Sequence, residues 1–238
     1  MLLRKHYFDL VTADDRVRIV YAAELSLGPL EVRYVAVLRA DPGAPAKTET
    51  ALGGATEPER SGDVMTFASP ALGMDCTLRR TMPGPRVEIL PDGALSWDCH
   101  TLRAEVTLRD RGETLSGVGY AETLETTVAP WDYPWDELRW GRLHEDDSSV
   151  VWTVLEGGGA SRAYFARGPE LTTGESIPDL GEVALLRSGR IGDTVLSLIP
   201  GLERLPGRIL GLSETKQLST SRAGGRAIHE TVRWPARA

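Results

Sequence analysis

Apolar and polar residues alternate with a period of two along most of this chain, and few stretches show the spacing of a helix. Two such segments, RVRIVYAAELS (16–26) and EVRYVAVLR (31–39), are separated by a Leu-Gly-Pro-Leu break. Further along, PDGA (91–94) has Asp-Gly at its centre, which is typical of a tight hairpin. Short strands joined by turns, without intervening helices, predict an antiparallel all-β protein.

The number of predicted strands bears on the domain organisation. Roughly fifteen short strands follow from the alternation, which is more than one eight-stranded barrel needs. The 238 residues therefore form either two β-halves that meet near residue 115 or one large curved sandwich. We favour two lipocalin-like (calycin) β-barrel or sandwich halves, at residues 1–115 and 116–238.

Two stretches depart from the alternation. Residues 41–62 (DPGAPAKTETALGGATEPERSG) have no apolar period, which predicts a long loop that is either disordered or a functional flap. Residues 195–212 (VLSLIPGLERLPGRILGL) are apolar but are interrupted by Pro200 and Pro206. We interpret this second stretch as a core strand, a turn and another strand, with a hydrophobic lid over a pocket as the alternative.

Net charge and cysteine content argue against several function classes. A formal net charge of −7 disfavours nucleic acids and anionic membranes as partners, because binding phosphates requires a basic surface. Cys76 and Cys99 have no metal-ligand spacing and are expected to be reduced and buried. No segment resembles a signal peptide or a transmembrane helix, so we expect a soluble bacterial cytoplasmic protein. The sequence leaves its oligomeric state open.

The common catalytic and cofactor motifs are absent from the sequence. The histidines are scattered without HxH or HExxH spacing, so we expect no metal site. No GxSxG, GxGxxG or P-loop pattern occurs, and the glycines at 157–159 are predicted to lie in a hairpin rather than before a helix. We therefore expect no cofactor.

The stretch GYAETLETTVAPWDYPWDELRWGRLH (119–144) concentrates aromatic and acidic residues. If its first part is a strand, alternation places Tyr120, Glu122 and Leu124 on one face. Glu122 then lies between aromatic and apolar neighbours, where burial raises the pKa of a carboxyl and makes it a proton donor at neutral pH. In the alternative interpretation this face is exposed, and Glu122 is an ordinary solvated acid.

The rest of this stretch divides into a connection and a strand. Residues 129–136 contain two prolines and are predicted to connect strands while presenting aromatic rings, Trp135 among them. Alternation in residues 138–144 places three residues on one face: Trp140, Arg142 and His144. Because a dry, unpaired polar face is costly, either this face is exposed or Arg142 pairs with a carboxylate such as Glu122.

Several of these segments resemble a known family. GVGYAE (117–122), followed after the Trp- and Pro-rich connection by LRWGRLH (138–144) and VVWTVLEG (150–157), resembles the lipocalin-like hydroxyneurosporene synthase or carotenoid hydratase (AttH-like) superfamily. HYFDLVTADDRVRIVYAAEL (6–25) is similar to the opening strands of that family. The resemblance implies a two-lobed β-barrel protein whose interior is lined by a tyrosine, an acidic residue two positions later and a Trp-Gly-Arg strand.

Transferred to this chain, the acid of the family falls on Glu122, where the carotenoid enzymes have Asp. Those enzymes continue with His-Asn-Trp-Gly, whereas this chain continues with Thr-Leu-Glu-Thr at 123–126. The resemblance therefore implies the fold and a hydrophobic cavity more directly than it implies hydration of a carotenoid.

Three functions remain open from the sequence. The first is a hydratase, isomerase or cyclase that acts on an apolar, terpenoid- or polyketide-like molecule, with Glu122 and Tyr120 as catalytic residues. Aromatic walls stabilise a carbocation by about 0.5–2 kcal/mol each. The residues expected to bind the ligand are Trp135, Trp140, Arg142, His144 and Trp152. The second is a carrier of a hydrophobic ligand, and the third is a carbohydrate-active sandwich with Glu122 and Glu137 as paired carboxylates.

Overall fold

The computed structural model describes residues 1–28, 30–158, 161–190 and 211–235. These residues form antiparallel strands and two short 3₁₀ turns, at Pro70–Leu72 and Pro130–Asp132. The prediction of an antiparallel all-β protein is confirmed. Among the described residues, no helix has the length and apolar character needed to cross a membrane. The chain divides into two compact units, unit 1 at Met1–Val128 and unit 2 at Ala129–Ala238.

Unit 1 is built from one large antiparallel sheet. Its strands are β1 Leu2–Val11, β2 Val17–Leu27, β3 Leu30–Ala40, β4 Lys47–Leu52, β5 Glu59–Ser61, β6 Val64–Ser69, β7 Met74–Met82, β8 Arg86–Leu90, β9 Leu95–Asp110 and β10 Glu113–Thr126. They lie in the order β4-β3-β2-β1-β10-β9-β7-β6-β5, and β8 also pairs with β9. β10 lies between β1 and β9, and its residues 119–123, which alternate between the two faces of the sheet, are all buried.

The sheet of unit 1 curls around a core of its own. The rings of Phe8 on β1 and Phe67 on β6 pack edge to face with centroids 5.2 Å apart, although four strand steps separate these strands in the sheet order. In a flat sheet, four steps span roughly 19 Å. The sheet therefore curls, and its concave face encloses apolar side chains from β1, β2, β3, β6, β7, β9 and β10.

A buried ion cluster links distant strands of this curled sheet. Asp110, at the end of β9, accepts hydrogen bonds from Arg18 Nε at 2.7 Å and from Arg39 Nε at 2.9 Å. Arg39 also donates to the carbonyl of Leu72 at 3.0 Å. Burial acts to raise the pKa of Asp110, but hydrogen bonds and charge from the two arginines outweigh it and lower that pKa.

Unit 2 is a second antiparallel sheet. Its strands are β11 Glu137–His144, β12 Ser149–Glu156, β13 Arg162–Ala166, β14 Leu171–Thr172, β15 Leu180–Arg190, β16 Ser213–Ser221 and β17 Arg226–Arg233. Their order is β14-β13-β12-β11-β17-β16-β15. One face carries an apolar cluster that includes Leu143, Trp152 and Phe165. Gly141 pairs directly with Trp152, and the absence of a side chain at Gly141 lets the indole lie across β11.

The structure corrects the prediction of one long loop at 41–62. Lys47–Leu52 forms β4 and pairs with β3, and Glu59–Ser61 forms β5 and pairs with β6. These strands lie at the two edges of the sheet and have few buried side chains, so they show no apolar alternation in the sequence. The prediction of one loop over the whole stretch is therefore wrong, while a role as a flap stays a prediction.

The division of the chain also differs from the expected boundary at 115/116. The structure divides after Val128, because β10 continues to Thr126 and pairs with β1 and β9 of the first sheet. Of the apolar stretch at 195–212, the part up to residue 210 lies outside the described residues. Leu212, which is described, is buried.

Candidate active site

Glu122 on β10 is buried, and its Oε2 accepts two hydrogen bonds. Trp97 Nε1 donates to Glu122 Oε2 at 2.5 Å, and the hydroxyl of Tyr120 donates to the same oxygen at 2.6 Å. Glu122 is 7% exposed, while Trp97 and Tyr120 are 2% and 0% exposed. The interpretation of Glu122 as a solvated acid is therefore wrong. Tyr120 and Glu122 lie on one face of β10, as the alternation predicts.

The local strand geometry places these two side chains. β10 has register shifts against β9 on either side of Ala121, and Trp97 lies opposite Leu124, the next residue on the face of Glu122. On the other side, Gly119 packs against β1 so closely that a Cβ atom there would lie 2.0 Å from the carbonyl oxygen of Asp9. Only glycine fits at this position, because a neighbouring backbone atom cannot move aside.

The phenol of Tyr120 remains protonated at neutral pH. Burial raises the pKa of Tyr120 well above its usual value, and the neighbouring Cys99 and Glu122 raise it further. Burial likewise raises the pKa of the Cys99 thiol well above its usual value. Tyr120 is therefore a hydrogen-bond donor to Glu122, and Cys99 is a neutral thiol rather than a nucleophile.

A cluster of aromatic rings continues from Tyr120 across β1 and β2. The ring of Tyr7 lies 6.0 Å from that of Tyr120 and 5.5 Å from that of Tyr21, edge to face in both pairs. The hydroxyl of Tyr7 donates to Asp9 Oδ2 at 2.9 Å. The surroundings of Glu122 within unit 1 are thus mainly aromatic.

In unit 2, the residues expected to bind a ligand do not all share one face. Trp140, Arg142 and His144 lie on one face of β11, and all three are buried. Trp152 pairs with Gly141, so it lies on the opposite face, in the apolar cluster. The sheet therefore separates Trp152 from the other three residues.

Several of these side chains have partners within unit 2. Arg142 is fully buried, and its Nη1 donates to the carbonyl oxygen of Arg226 at 2.9 Å. His144 Nδ1 lies 2.9 Å from Ser149 Oγ. The solvent-exposed alternative for this face of β11 is therefore wrong, while pairing between Arg142 and Glu122 stays a prediction.

Two further features of unit 2 bear on the expected site. Lys216 on β16 is completely buried, forms an ion pair with Glu230 and lies 5.5 Å from the ring centroid of Trp140. Trp135 is also completely buried and packs edge to face on Tyr133, with ring centroids 5.8 Å apart. The polar face beside Trp140 thus includes Lys216, whose position there could not be predicted from the sequence.

The structure also reveals residues of the unit 1 site that sequence reasoning missed. Trp97 and Cys99 are near Glu122 because β9 pairs with β10, and Tyr7 is near because β1 pairs with β10. Alternation assigns a face to each residue of a strand but does not give the order of strands in a sheet. Within the described parts of the chain, no group of three or more His, Cys, Asp or Glu side chains is arranged to hold a metal ion.

Comparisons with known proteins bear on the fold. No protein-family model matches the chain, and no curated protein matches its sequence. Among solved structures, a candidate AttH protein from Nitrosomonas europaea aligns with a TM-score of 0.53 and 12% identity, over 98% of this chain and 92% of that chain. The chain shares the fold of this protein.

Two other solved structures show the same fold. CghA, in complex with Sch210972, aligns with a TM-score of 0.53 and 8% identity, over 98% of this chain and 88% of that chain. Kievitone hydratase from Nectria haematococca aligns with a TM-score of 0.50 and 12% identity, over 98% of this chain and 89% of that chain. The resemblance to AttH-like lipocalin proteins is therefore confirmed at the level of the fold.

Proposed function

We propose that the protein is a hydratase that adds water to a carbon–carbon double bond of an apolar small molecule, with Glu122 as the proton donor. The observation that carries this proposal is the buried Glu122 carboxyl, whose Oε2 accepts hydrogen bonds from Trp97 and Tyr120. A carbonyl-type oxygen accepts two hydrogen bonds, so Oε2 keeps both donors when Glu122 carries the proton that it transfers.

The same two donors assist proton transfer. When Glu122 gives its proton to one alkene carbon, the π electrons form the new C–H bond and leave a carbocation on the other carbon. The resulting carboxylate is then held by Trp97 and Tyr120, whose hydrogen bonds strengthen as negative charge develops on Oε2. Water adds to the cation and returns a proton to Glu122, so the net reaction is the addition of one water molecule.

The aromatic surroundings favour an apolar, terpenoid- or polyketide-like substrate. The rings of Tyr7, Tyr21 and Tyr120 form a continuous edge-to-face cluster beside the acid. Aromatic faces stabilise a nearby cation by about 0.5–2 kcal/mol each. One protein of the same fold, kievitone hydratase, is named for a hydration. Loss of a proton from the same cation, or ring closure through it, would make the enzyme an isomerase or a cyclase.

Roles for the unit 2 residues remain part of this proposal. We propose that Trp135, Trp140, Arg142 and His144 contribute to ligand binding. Trp152 is proposed as a further wall, although it lies in the apolar cluster on the opposite face of its sheet. The apolar cavity that would receive the substrate is likewise a proposal.

The experiment that tests this function uses a panel of unsaturated terpenoid and polyketide-like compounds incubated with the protein in D₂O. Mass spectrometry then detects products that have gained D₂O, with one deuterium on carbon. Glu122→Gln keeps the size of the side chain but removes the acid, so we expect hydration to fall by about 100- to 10,000-fold. Circular dichroism checks that the variant remains folded.

Glu105→Gln is the matched control, because Glu105 is an exposed acid on the neighbouring strand β9. We expect this variant to hydrate at the wild-type rate. Full turnover by a folded Glu122→Gln variant would overturn the assignment of Glu122. Co-purification of an unchanged apolar ligand, with no product from any compound of the panel, would favour the carrier function instead.

A further inference from the structure

A polar cavity of about 360 Å³ lies in unit 1, on the face of the sheet opposite Glu122. Its lining includes His6, Asp98 and Thr123, which are aligned across three adjacent strands because Thr123 on β10 pairs with both of the others. His6 points to the same side of β1 as Phe8 of the apolar core, as the alternation requires. The cavity is therefore separate from the aromatic cluster around Glu122.

A chain of hydrogen bonds runs through the buried part of this cavity, and each group in the chain donates to the next. Arg60 Nη2 donates to Thr123 Oγ1 at 3.0 Å, and Thr123 Oγ1 lies 2.9 Å from His6 Nδ1. His6 Nε2 lies 3.1 Å from Glu57 Oε2. The Glu57 carboxylate only accepts, so His6 Nε2–H donates to it, and in the neutral imidazole Nδ1 then accepts a hydrogen bond from the Thr123 hydroxyl. Burial lowers the pKa of His6, in keeping with this neutral tautomer.

Two arginines of the cavity have no carboxylate partner in the described parts of the chain. Arg60 bonds to the Thr123 hydroxyl, and Arg86 on β8 forms no ion pair within 4.0 Å. The third arginine, Arg4, bonds to Glu125 at 2.6 Å and lies 3.6 Å from Glu57. The guanidinium groups of Arg60 and Arg86 therefore have N–H donors that could bind a ligand, next to Asp98.

Of the described residues, three acids line the cavity, Asp98, Glu57 and Glu125, and Asp98 lies directly opposite Arg86 where β9 pairs with β8. It is half-buried, and its side chain accepts no hydrogen bond from the described residues. Burial raises its pKa, although the charges of Arg60 and Arg86 act in the opposite direction. The described lining of the cavity thus combines three guanidinium groups with three carboxyl groups, of which the Asp98 carboxyl is half-buried, and this limits how much negative charge a ligand can carry.

We propose that this cavity is a second ligand site, for a small molecule that carries a single carboxylate held by Arg60 and Arg86. Guanidinium groups match the planar carboxylate and bind it through paired hydrogen bonds. A doubly charged phosphate meets repulsion from Asp98, Glu57 and Glu125. The cavity volume lies within the range of about 300–1,000 Å³ found for small-molecule sites.

The test is a titration of the isotopically labelled full chain with benzoate, followed by the NMR shifts of backbone amides. We expect saturable shifts centred on Asp98 and Thr123. Arg60→Ala removes charge-assisted hydrogen bonds and should weaken the affinity by about tenfold or more. Asp98→Asn removes the opposing negative charge at constant size, so it should tighten benzoate binding several-fold.

The sign of the Asp98→Asn effect separates this proposal from its competitors. A site for a cation or a polyol would use Asp98 as an acceptor, and its affinity would fall in this variant. Arg109→Ala is the matched control, because Arg109 lies near the far end of β9, where it is exposed and paired with Asp75 at 2.8 Å. It should bind benzoate like the wild type.

Three results would overturn the proposal. The first is the absence of saturable shifts at the cavity with both benzoate and acetate. The second is an equal or tighter response to inorganic phosphate or glycerol. The third is weaker benzoate binding in a folded Asp98→Asn variant. Thermal unfolding of each variant identifies any loss of affinity that comes from misfolding rather than from a missing contact.

Discussion

Tyr120 and Trp97 donate hydrogen bonds to the buried carboxyl of Glu122. These hydrogen bonds therefore contribute to the stability of the fold as well as to the proposed chemistry. We expect Tyr120→Phe to lower the free energy of unfolding by about 1–3 kcal/mol, because it removes a donor from a buried acceptor. Urea denaturation measures this change as a lower midpoint with an unchanged slope.

Tyr164→Phe on β13 is the control for this prediction, because Tyr164 is only half-buried. We expect it to change the free energy of unfolding by less than about 0.5 kcal/mol. Equal losses in the two variants would mean that the hydrogen bond to Glu122 does not contribute to stability.

The spacing of Tyr120 and Glu122 shows how much of the site can be predicted from the sequence of one strand. Alternation alone predicts that the two side chains share a face, and they do. It does not predict Trp97 as a partner, because that contact depends on the pairing of β9 with β10. It also left open whether the face is buried, since a strand with one acid and one tyrosine fits either environment.

At the scale of strands, β11 depends on a glycine that makes room for an indole. A Cβ atom at Gly141 would lie 2.2 Å from Cζ2 of Trp152, a residue that is 1% exposed. We expect Gly141→Ala to lower the free energy of unfolding by about 1–3 kcal/mol through overpacking. Urea denaturation of the purified variant measures the effect.

A second substitution tests the cause of that loss. Trp152→Phe removes part of the indole, so in the double variant it should recover part of the loss caused by Gly141→Ala. Gly168→Ala is the control, because a Cβ atom there meets open space. Strictly additive effects of Gly141→Ala and Trp152→Phe would contradict the proposed contact.

Strands were predictable where one side of the strand is apolar. The segments predicted at 16–26 and 31–39 form β2, Val17–Leu27, and β3, Leu30–Ala40. By contrast, alternation in the sequence predicts two strands, at 95–97 and 101–108, whereas the structure has one, β9, in which the adjacent residues Thr101 and Leu102 are both buried. Such a pair breaks the period of two, and alternation then indicates a turn where the strand continues.

At the scale of the whole molecule, buried and half-buried histidines couple stability to pH. Burial, followed by the charges of Arg60, His6 and Arg80, lowers the pKa of His100 from 6.5 to about 3. Burial also lowers the pKa of His6 and of His229. These imidazoles are neutral in the folded chain near neutral pH, whereas they take up protons below about pH 6.5 once the chain unfolds.

The sign of the pH dependence follows from this difference. The unfolded state binds more protons than the folded state below pH 6.5, so the free energy of unfolding falls as the pH drops through this window. For His100 the loss continues down to about pH 3, the value of its folded pKa. Each such histidine contributes a slope of at most about 1.4 kcal/mol per pH unit.

We expect His100→Gln to flatten this slope between pH 7.5 and 5.5, because glutamine has no proton to gain in the unfolded state. Urea denaturation at several pH values measures it. Asp110→Asn is the comparison: the pKa of Asp110 is lowered, so its charge contributes stability above about pH 3.9 that is lost only below it. Asp110→Asn should therefore destabilise equally at pH 7.5 and 5.5, and a His100→Gln profile parallel to the wild type would refute the assignment to His100.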